Sequence, residues 1–427
     1  ALPISAVAAL SSSQAAAMTT AQVAALTTAQ AGAISSAAAA GISATQVAVL
    51  KTADLAQLTT AAVAALSASA VGGLTSAQAS NLTTAQLSSL TTGQVAALST
   101  ANTAALTTTQ VGALTSTQVK AIETADLAKF TAEQVAAINT AAVSGLTTDQ
   151  VVALTTDQMD DLTTKQVAAM GATQVAAIET DDLALMTTSA VAAFSTAAVA
   201  SLSTDQVGVL TSDQVSALTT GQVKALTTDQ VVALTTDQID KLTATQVGAM
   251  SAAQVAAIET DDLKLMTATE VAAFSTAAVA SLSTDQVGVL TSDQVSALTT
   301  AQVGTLDTTQ VKAITTSAVA AMTTAQVAAM STAQVAALTT VQMAALTANE
   351  VKSLSTAQVQ ALGSTQVNAL TNANVSAMTT TQVAAIETAD IAALTTAGGL
   401  PMAPASPQPF TPNGLWVQGV TQEWSTV

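Results

Sequence analysis

Paired carboxylates are the residues of this 427-residue chain that could most readily bind a ligand. The pairs are Asp160–Asp161, Asp181–Asp182 and Asp261–Asp262. Such side chains suit Ca²⁺, a hard cation that takes several oxygen ligands. None of the pairs has the glycine-bearing loop of known calcium motifs. We therefore expect exposed residues near helix starts, with no metal site and no bound cofactor.

The groups needed for catalysis are scarce. The chain has no His and no Cys, so the usual general base and thiol nucleophile are missing. Ser and Thr hydroxyls are abundant, but most stand at or beside the helix-capping positions derived below. Lys120, Lys165 and Lys224 lie near acidic residues and are most simply solvated surface charge. We do not expect an enzyme.

Composition argues against several further classes of protein. The net charge is −18 and all nine basic residues are Lys, which disfavours nucleic acid as a partner. No apolar run approaches the roughly 20 residues of a membrane span. Without Cys there is neither a disulfide nor a thiolate metal site. Because the chain starts at Ala1, we expect that a leader was removed or that further residues precede it.

An eight-residue repeat organises almost the whole chain. Leu, Ile, Met or Phe occupies every eighth position from Leu2 to Leu394. We call this residue the anchor of its octad. In most octads Val stands five residues after the anchor, as Val95 follows Leu90. Internal repeats of this kind indicate a stacked architecture.

Neither one long helix nor a β-solenoid fits this repeat. Eight residues rotate an α-helix by about 800°, so anchors would spiral around it without forming a stripe. Coiled coils require repeats of seven or eleven residues. Ala and Gln form strands poorly, and turn residues are few.

A helix start in every octad explains the pattern. Thr91 and Gln94 match the capping box, in which the hydroxyl and the Gln side chain each satisfy one backbone N–H. Leu90 and Val95 match the hydrophobic staple that accompanies it. We number helix positions from this cap, so that Gln94 is at N3 and Val95 at N4. In the variant octad of Ile122, the cap lies at Glu123 or slips to Thr124.

Isolated octads cannot fold. Burying one Leu and one Val contributes about 1.5–3 kcal/mol each, whereas ordering eight residues costs on the order of 1.5 kcal/mol apiece. Stacking on neighbouring octads must supply the difference. We predict an all-α solenoid of short two-turn helices, one per octad, over residues 1–396. The number of octads in one coil does not follow from the sequence.

The last 31 residues depart from the repeat. Residues 397–414 read as a Pro-rich extended linker and residues 415–427 as a strand-like tail. Two hypotheses remain open for this tail. It folds back to cap the last coil of its own chain, or it docks on a neighbouring subunit.

Two sequence patterns extend over many octads. The block around Phe194 recurs around Phe274, 80 residues later, and growth by whole octads is what a solenoid tolerates. Before Val119 only Lys51 and Asp54 are charged. We expect another copy of the chain to cover that surface.

The units LTTAQVAAL, LTTDQVVAL and LSTAQVQAL resemble octapeptide-repeat tracts of bacterial cell-surface proteins that are often labelled adhesion proteins. The likeness covers Leu2 to about Leu394. It implies an exported protein that is extracellular or at the cell surface. Haem binding gains no support from the residues.

These observations favour a structural protein, a subunit of an extracellular bacterial filament, fibre or surface layer that forms a homo-polymer. The alternative is a surface adhesin that uses the solenoid as a stalk; an ice-binding protein, suggested by the regular threonines, is a distant third. The predicted assembly residues are at the start of the chain and in the tail: Leu2, Pro3, Ile4, Phe410, Leu415, Trp416, Val417, Val420 and Trp424.

Overall fold

The computed structural model describes residues 3–386 and Asp390. The described residues are helical and contain no strand, so the predicted all-α solenoid is confirmed. The chain forms two compact units, Ala1–Val289 and Leu290–Val427. The linker 397–414 and the predicted strand-like tail 415–427 lie outside the described residues.

One short helix occupies each octad from Leu2 to Ala385. The first unit contains α1 (Ile4–Ala8), α2 (Ser12–Ala16), α3 (Thr20–Ala24), α4 (Thr28–Gly32), α5 (Ser36–Ala39), α6 (Ala44–Ala48), α7 (Thr52–Leu55), α8 (Thr60–Ala65), α9 (Ala68–Gly72), α10 (Ser76–Asn81), α11 (Thr84–Ser89), α12 (Thr92–Ala96), α13 (Thr100–Ala104), α14 (Thr108–Gly112), α15 (Ser116–Lys120), α16 (Thr124–Leu127), α17 (Ala132–Ala137), α18 (Thr140–Val143), α19 (Thr148–Ala153), α20 (Thr156–Asp160), α21 (Thr164–Ala169), α22 (Ala172–Val175), α23 (Thr180–Leu185), α24 (Thr188–Val191), α25 (Thr196–Ala200), α26 (Thr204–Val209), α27 (Ser212–Ala217), α28 (Thr220–Ala225), α29 (Thr228–Val232), α30 (Thr236–Asp240), α31 (Ala244–Ala249), α32 (Ala252–Ala256), α33 (Thr260–Leu265), α34 (Ala268–Ala272), α35 (Thr276–Ala280) and α36 (Thr284–Val289). The second unit contains α37 (Ser292–Ala297), α38 (Thr300–Thr305), α39 (Thr308–Ala313), α40 (Thr316–Val319), α41 (Thr324–Ala329), α42 (Thr332–Ala337), α43 (Thr340–Ala345), α44 (Ala348–Ser353), α45 (Thr356–Gln360), α46 (Ser364–Ala369), α47 (Asn372–Ala377) and α48 (Thr380–Ala385).

The predicted capping boxes begin most of these helices. At α12 the Thr91 hydroxyl accepts from the Gln94 N–H at 3.2 Å, and Gln94 Oε1 accepts from the Thr91 N–H at 2.7 Å. Both bonds satisfy donors that a helix start otherwise leaves without a partner. At α16 the cap position is Glu123, and its side chain makes no cap bond. The helix therefore does not slip to a cap at Thr124.

Each helix ends after little more than one turn. Leu90, which follows α11, has φ −61° and ψ 135°, and the next residue, Thr91, has φ −71° and ψ 161°. Two successive extended residues redirect the chain before the next helix begins. Anchor and cap thus form the corner of the solenoid.

Three octads make one coil within each unit. Every helix packs against the helix three places further along, as α20 packs on α23 and α23 on α26. The helices of a unit therefore form three columns, in which equivalent residues recur every third octad. Anchors and N4 residues fill the interior, as shown by Phe130, Val135 and Ile138, which are at most 4% exposed.

The glutamine at N3 connects one coil to the next. Gln118 Nε2 donates to the carbonyl oxygens of Leu87 at 2.8 Å and Leu90 at 2.9 Å. Both oxygens lie at the end of α11, where carbonyl groups lack intrahelical donors. With its Oε1 accepting from the Thr115 N–H at 3.0 Å, the amide is saturated. The same bonds, to residues 28 and 31 positions earlier, recur at Gln166.

Gly41 marks a very close approach between coils. A Cβ atom built on Gly41 would lie 1.9 Å from the carbonyl oxygen of Ser12, at the start of α2. Any larger residue must push the two backbones apart. By contrast, a Cβ on Gly93, which is exposed in α12, would meet nothing within 4 Å.

Gln358 and Gln360 provide a matched test of the inter-coil bonds, because both belong to α45. Gln358 is buried and donates to Met330 at 2.6 Å, whereas Gln360 is exposed. We expect Gln358→Ala to lower the free energy of unfolding by about 2–4 kcal/mol, since it leaves buried carbonyl groups without donors. Gln360→Ala should change it by less than about 0.5 kcal/mol. Urea denaturation measures both, and equal effects would contradict the role given to the buried amide.

The two glycines make a second pair. We expect Gly41→Ala to destabilise the chain by about 1–3 kcal/mol because the added methyl group overlaps Ser12. Gly93→Ala should stabilise it by about 0.5–1 kcal/mol, since Ala favours the helix and has open space. Thermal unfolding of both variants checks the sign of each change. A neutral Gly41→Ala would show that the two coils separate without cost.

Candidate interaction surfaces

Two of the predicted assembly residues are described. Pro3 is the N-cap residue of α1, and Ile4 is the first residue of that helix, with 53% of its surface exposed. Leu2 lies outside the described residues. So do the predicted tail residues, namely Phe410, Leu415, Trp416, Val417, Val420 and Trp424. Their role in assembly stays a prediction.

The first coil carries N3 amides whose counterparts in the interior coils donate to carbonyl groups of another coil. Gln14 and Gln22 accept from the N–H groups of their caps at 2.9 and 2.8 Å, but both are exposed. Within residues 3–386 neither Nε2 donates to a carbonyl group. Gln46, by comparison, donates to Ala15 at 3.0 Å and Met18 at 2.7 Å. Among the described residues, the Nε2 groups of Gln14 and Gln22 therefore lack the carbonyl partners that the N3 amides of later coils have.

Apolar burial is also incomplete there. The anchors Leu10 and Met18 are half-buried, whereas an interior anchor such as Leu242 is 1% exposed. The first coil thus leaves part of an interior surface accessible.

The last described coil shows the complementary arrangement. Val375 is 38% exposed, although N4 valines in the interior, such as Val367, are fully buried. The carbonyl oxygens of Met378 and Ile386 receive no amide from any described residue. Sequence reasoning named the start of the chain but missed Gln14 and Gln22, because the reach of the N3 amide across 28 residues is not visible within one octad.

The paired acids differ from the expectation of exposed residues near helix starts. Asp182 and Asp262 occupy N3 of α23 and α33 and are only 4% and 6% exposed. Asp160 and Asp161 lie at the C-terminal end of α20. Asp181 and Asp261 are exposed in the first turns of these helices, as expected, and Asp160 and Asp161 are exposed but at a helix end. The prediction was wrong for the burial of Asp182 and Asp262, because the repeat register, rather than charge, decides which residue faces the interior.

Buried aspartates bind hydroxyl groups of another coil. Asp182 Oδ1 accepts from the Thr156 hydroxyl at 2.7 Å, and Asp54 Oδ1 accepts from Thr28 at 2.8 Å. Both donors lie 26 residues earlier, at the first position of the helix in the coil before. A carboxylate has no N–H to donate to the carbonyl groups that Gln binds, so Asp accepts a bond from a hydroxyl group instead. Threonine is so frequent at the donor position that no sequence signal distinguishes these pairs.

The described residues contain no group of three or more acidic side chains placed to hold a metal ion. No helix among them is long and apolar enough to cross a membrane.

Comparison with known families identifies the repeat. A family model described as the ALTTAQ repeat matches more than half of the chain, at residues 47–84, 87–121, 119–156, 175–212, 191–220, 212–244, 255–300, 303–340, 311–348, 335–372 and 348–380. The chain belongs to the ALTTAQ repeat family. Neither the curated proteins nor the solved structures that were compared with it gave a match.

The family motif corresponds to the structural roles derived above. In the ALTTAQ octads the leucine is the buried anchor, the first threonine is the cap and the glutamine is the N3 residue. The stretch Ala25 to Gln30 carries the motif in full, and the Thr27 hydroxyl accepts from the Gln30 N–H at 3.3 Å. The residues that define the family motif are therefore the residues that fold the repeat.

Glu350 is a chemically distinct substitution for the N3 glutamine. It is 2% exposed, and its Oε2 accepts from the Thr347 N–H. By register, its other oxygen takes the place of the amide that would donate to Val319 and Met322. Burial raises the pKa of Glu350 above its ordinary value because it disfavours the charged form. No charged residue faces it from α41 or α47, and the exposed Lys352 is the other charged residue on α44.

The raised pKa gives a pH dependence of defined sign. The stability contributed by protonated Glu350 is complete below its pKa in the unfolded chain and is lost as the pH rises through its pKa in the folded chain. We expect Glu350→Gln to match the unmodified chain near about pH 4 and to be more stable at neutral pH. Urea denaturation across this range measures the difference.

The reverse substitution is the control. Gln342 donates to Val311 at 2.9 Å and Ile314 at 2.7 Å. Gln342→Glu should therefore introduce a loss of stability that grows as the pH rises. A Glu350→Gln difference that is independent of pH would contradict the assignment.

Proposed function

We propose that the chain is a structural subunit of an extracellular bacterial filament, fibre or surface layer, in which copies stack end to end. The observations that support this proposal are the hydrogen-bonding groups on the first coil and on the last described coil that no described residue binds. Gln14 and Gln22 offer amide donors on the first coil, and Met378 and Ile386 offer carbonyl acceptors on the last described coil.

Stacking would extend from one chain to the next the amide–carbonyl hydrogen bonds that join coils within a chain. The donors of one copy would meet the acceptors of the next, and Leu10, Met18 and Val375 would gain burial. A contact between two different surfaces of identical chains produces an open filament when the rotation from one copy to the next does not close a ring.

The proposal places the chain outside the cell. The resemblance to repeat tracts of bacterial surface proteins supports it, and so does the absence of cysteine from a strongly acidic chain. In this proposal the aromatic tail adds contacts between neighbouring subunits. The competing function is a surface adhesin with the solenoid as its stalk, which would remain monomeric and bind a separate ligand.

The end contact is tested by replacing its donors. We expect the Gln14→Glu, Gln22→Glu double variant to lose filaments in negative-stain electron microscopy, because carboxylate oxygens would then face carbonyl oxygens. Gln360→Glu makes the same chemical change at an exposed position and should leave filaments intact. Dispersed single molecules of the unmodified chain would overturn the proposal, and filaments of normal length from the double variant would overturn the end contact.

The contribution of the tail is measured separately by a chain that stops at Thr396. Filaments of the full chain alone would support contacts through residues 397–427. Filaments from both chains would assign assembly to the stacked coils, and their absence from both would direct the search to a ligand.

A further inference from the structure

A duplicated block gives the first unit two copies of one surface. Leu185 ends α23 and Val209 ends α26, and these two helices are packed neighbours. Asp181 and Asp205 precede them by four residues, on the same faces of the helices. We call these four residues the first patch.

Eighty residues later the second patch repeats the arrangement. It consists of Asp261 and Leu265 on α33 with Asp285 and Val289 on α36, which are also packed neighbours.

The two leucines of the patches are unusually accessible for residues of their type. Leu185 is 64% exposed and Leu265 is 58% exposed. Val209 is 37% exposed, and Val289 is half-buried. Single exposed apolar residues are ordinary, but large apolar side chains that adjoin on stacked helices mark contact surfaces. Here the same pairing occurs twice.

Carboxylates surround the apolar residues of the first patch. Along its column of helices, Glu133, Asp157, Asp181, Asp205 and Asp229 occupy the same position of successive coils and are all exposed. Packed helices lie about 8–10 Å apart, so this line of charge repeats at about that distance. Among the described residues, none of these five carboxylates forms an ion pair.

A shallow cleft adjoins the first patch. Glu179, Asp181 and Asp205 line it together with residues that include Ala176 and Ile178. A long cationic side chain that followed the patch could enter this cleft while its apolar neighbours covered Leu185 and Val209.

We propose that each patch docks a cationic amphipathic segment of another protein, with apolar residues on Leu185 or Leu265 and basic residues on the flanking carboxylates. Charge complementarity identifies the occupant, because apolar contact alone would not require the carboxylates. A second copy of this chain is disfavoured as the occupant of the patches, since the patches present carboxylates and the chain has 27 acidic residues against nine Lys. This inference does not depend on the proposed self-assembly.

The duplication makes the chain bivalent. Ten octads are three coils and one octad, so the second patch falls on the next column of helices rather than directly above the first. Two partners therefore bind without competing for one face. The patches differ in charge, because Lys264 precedes Leu265 where Ala184 precedes Leu185. The lysine weakens the second patch for a cationic partner.

Isothermal titration with a synthetic amphipathic helical peptide of leucine and lysine tests the proposal. We expect two binding sites of unequal affinity per chain. Leu185→Ser should weaken the tighter site about tenfold and Leu265→Ser the weaker one to a similar extent, since each removes an apolar contact. Lys264→Ala should bring the two affinities together.

Val341 supplies the control. It is 61% exposed on α43, a helix without acidic residues. Val341→Ser should leave both sites unchanged. Binding that is unaffected by Leu185→Ser and Leu265→Ser would show attraction by charge alone and overturn the proposal. Failure to bind the peptide, with binding of phosphatidylcholine vesicles that Leu185→Ser abolishes, would overturn it in favour of a membrane surface.

Discussion

The side-chain amide at N3 is the interaction on which the fold depends. A helix of four to six residues leaves most of its backbone N–H and C=O groups without intrahelical partners. A chain built from such helices must satisfy these groups elsewhere or leave them buried at a cost. Gln solves both problems at once, because Oε1 accepts at the start of its own helix and Nε2 donates at the end of a helix in the preceding coil.

Natural substitutions at N3 show why Gln dominates. Asn374 keeps the cap bond at 2.9 Å and reaches one carbonyl group, that of Leu346, at 2.8 Å. Glu350 keeps the cap bond and loses the donor. Asp182 loses the cap bond and accepts a hydroxyl group instead. Ala62 retains only the bond that its backbone N–H donates to Thr59, at 3.1 Å. The array tolerates these losses because neighbouring coils hold the defective one in place.

The interactions within one octad can be predicted from the sequence, whereas the interactions between coils cannot. Thr91, Gln94 and Val95 predict a capped helix because the interacting groups lie within one octad. The three-octad coil depends on the backbone angles of Leu90 and Thr91, which the residue types permit but do not dictate. The donors on Gln118 serve residues about four octads away, and this distance follows only from the coil. The burial of Asp182 and the accessible amides of Gln14 and Gln22 also depend on the coil, so the sequence did not predict them.

The repeat also determines where a function can arise. Anchor, cap, N3 and N4 residues are committed to the interior or to the backbone, so substitution there changes stability. The second and sixth residues of α23, Asp181 and Leu185, face solvent and carry no folding duty. Duplication by whole octads copies such outward residues without disturbing the interior. When the number of octads is not a multiple of three, the copy moves to another column. A chain of this kind can therefore multiply a binding surface and distribute it around its axis, without any change to the chemistry that folds it.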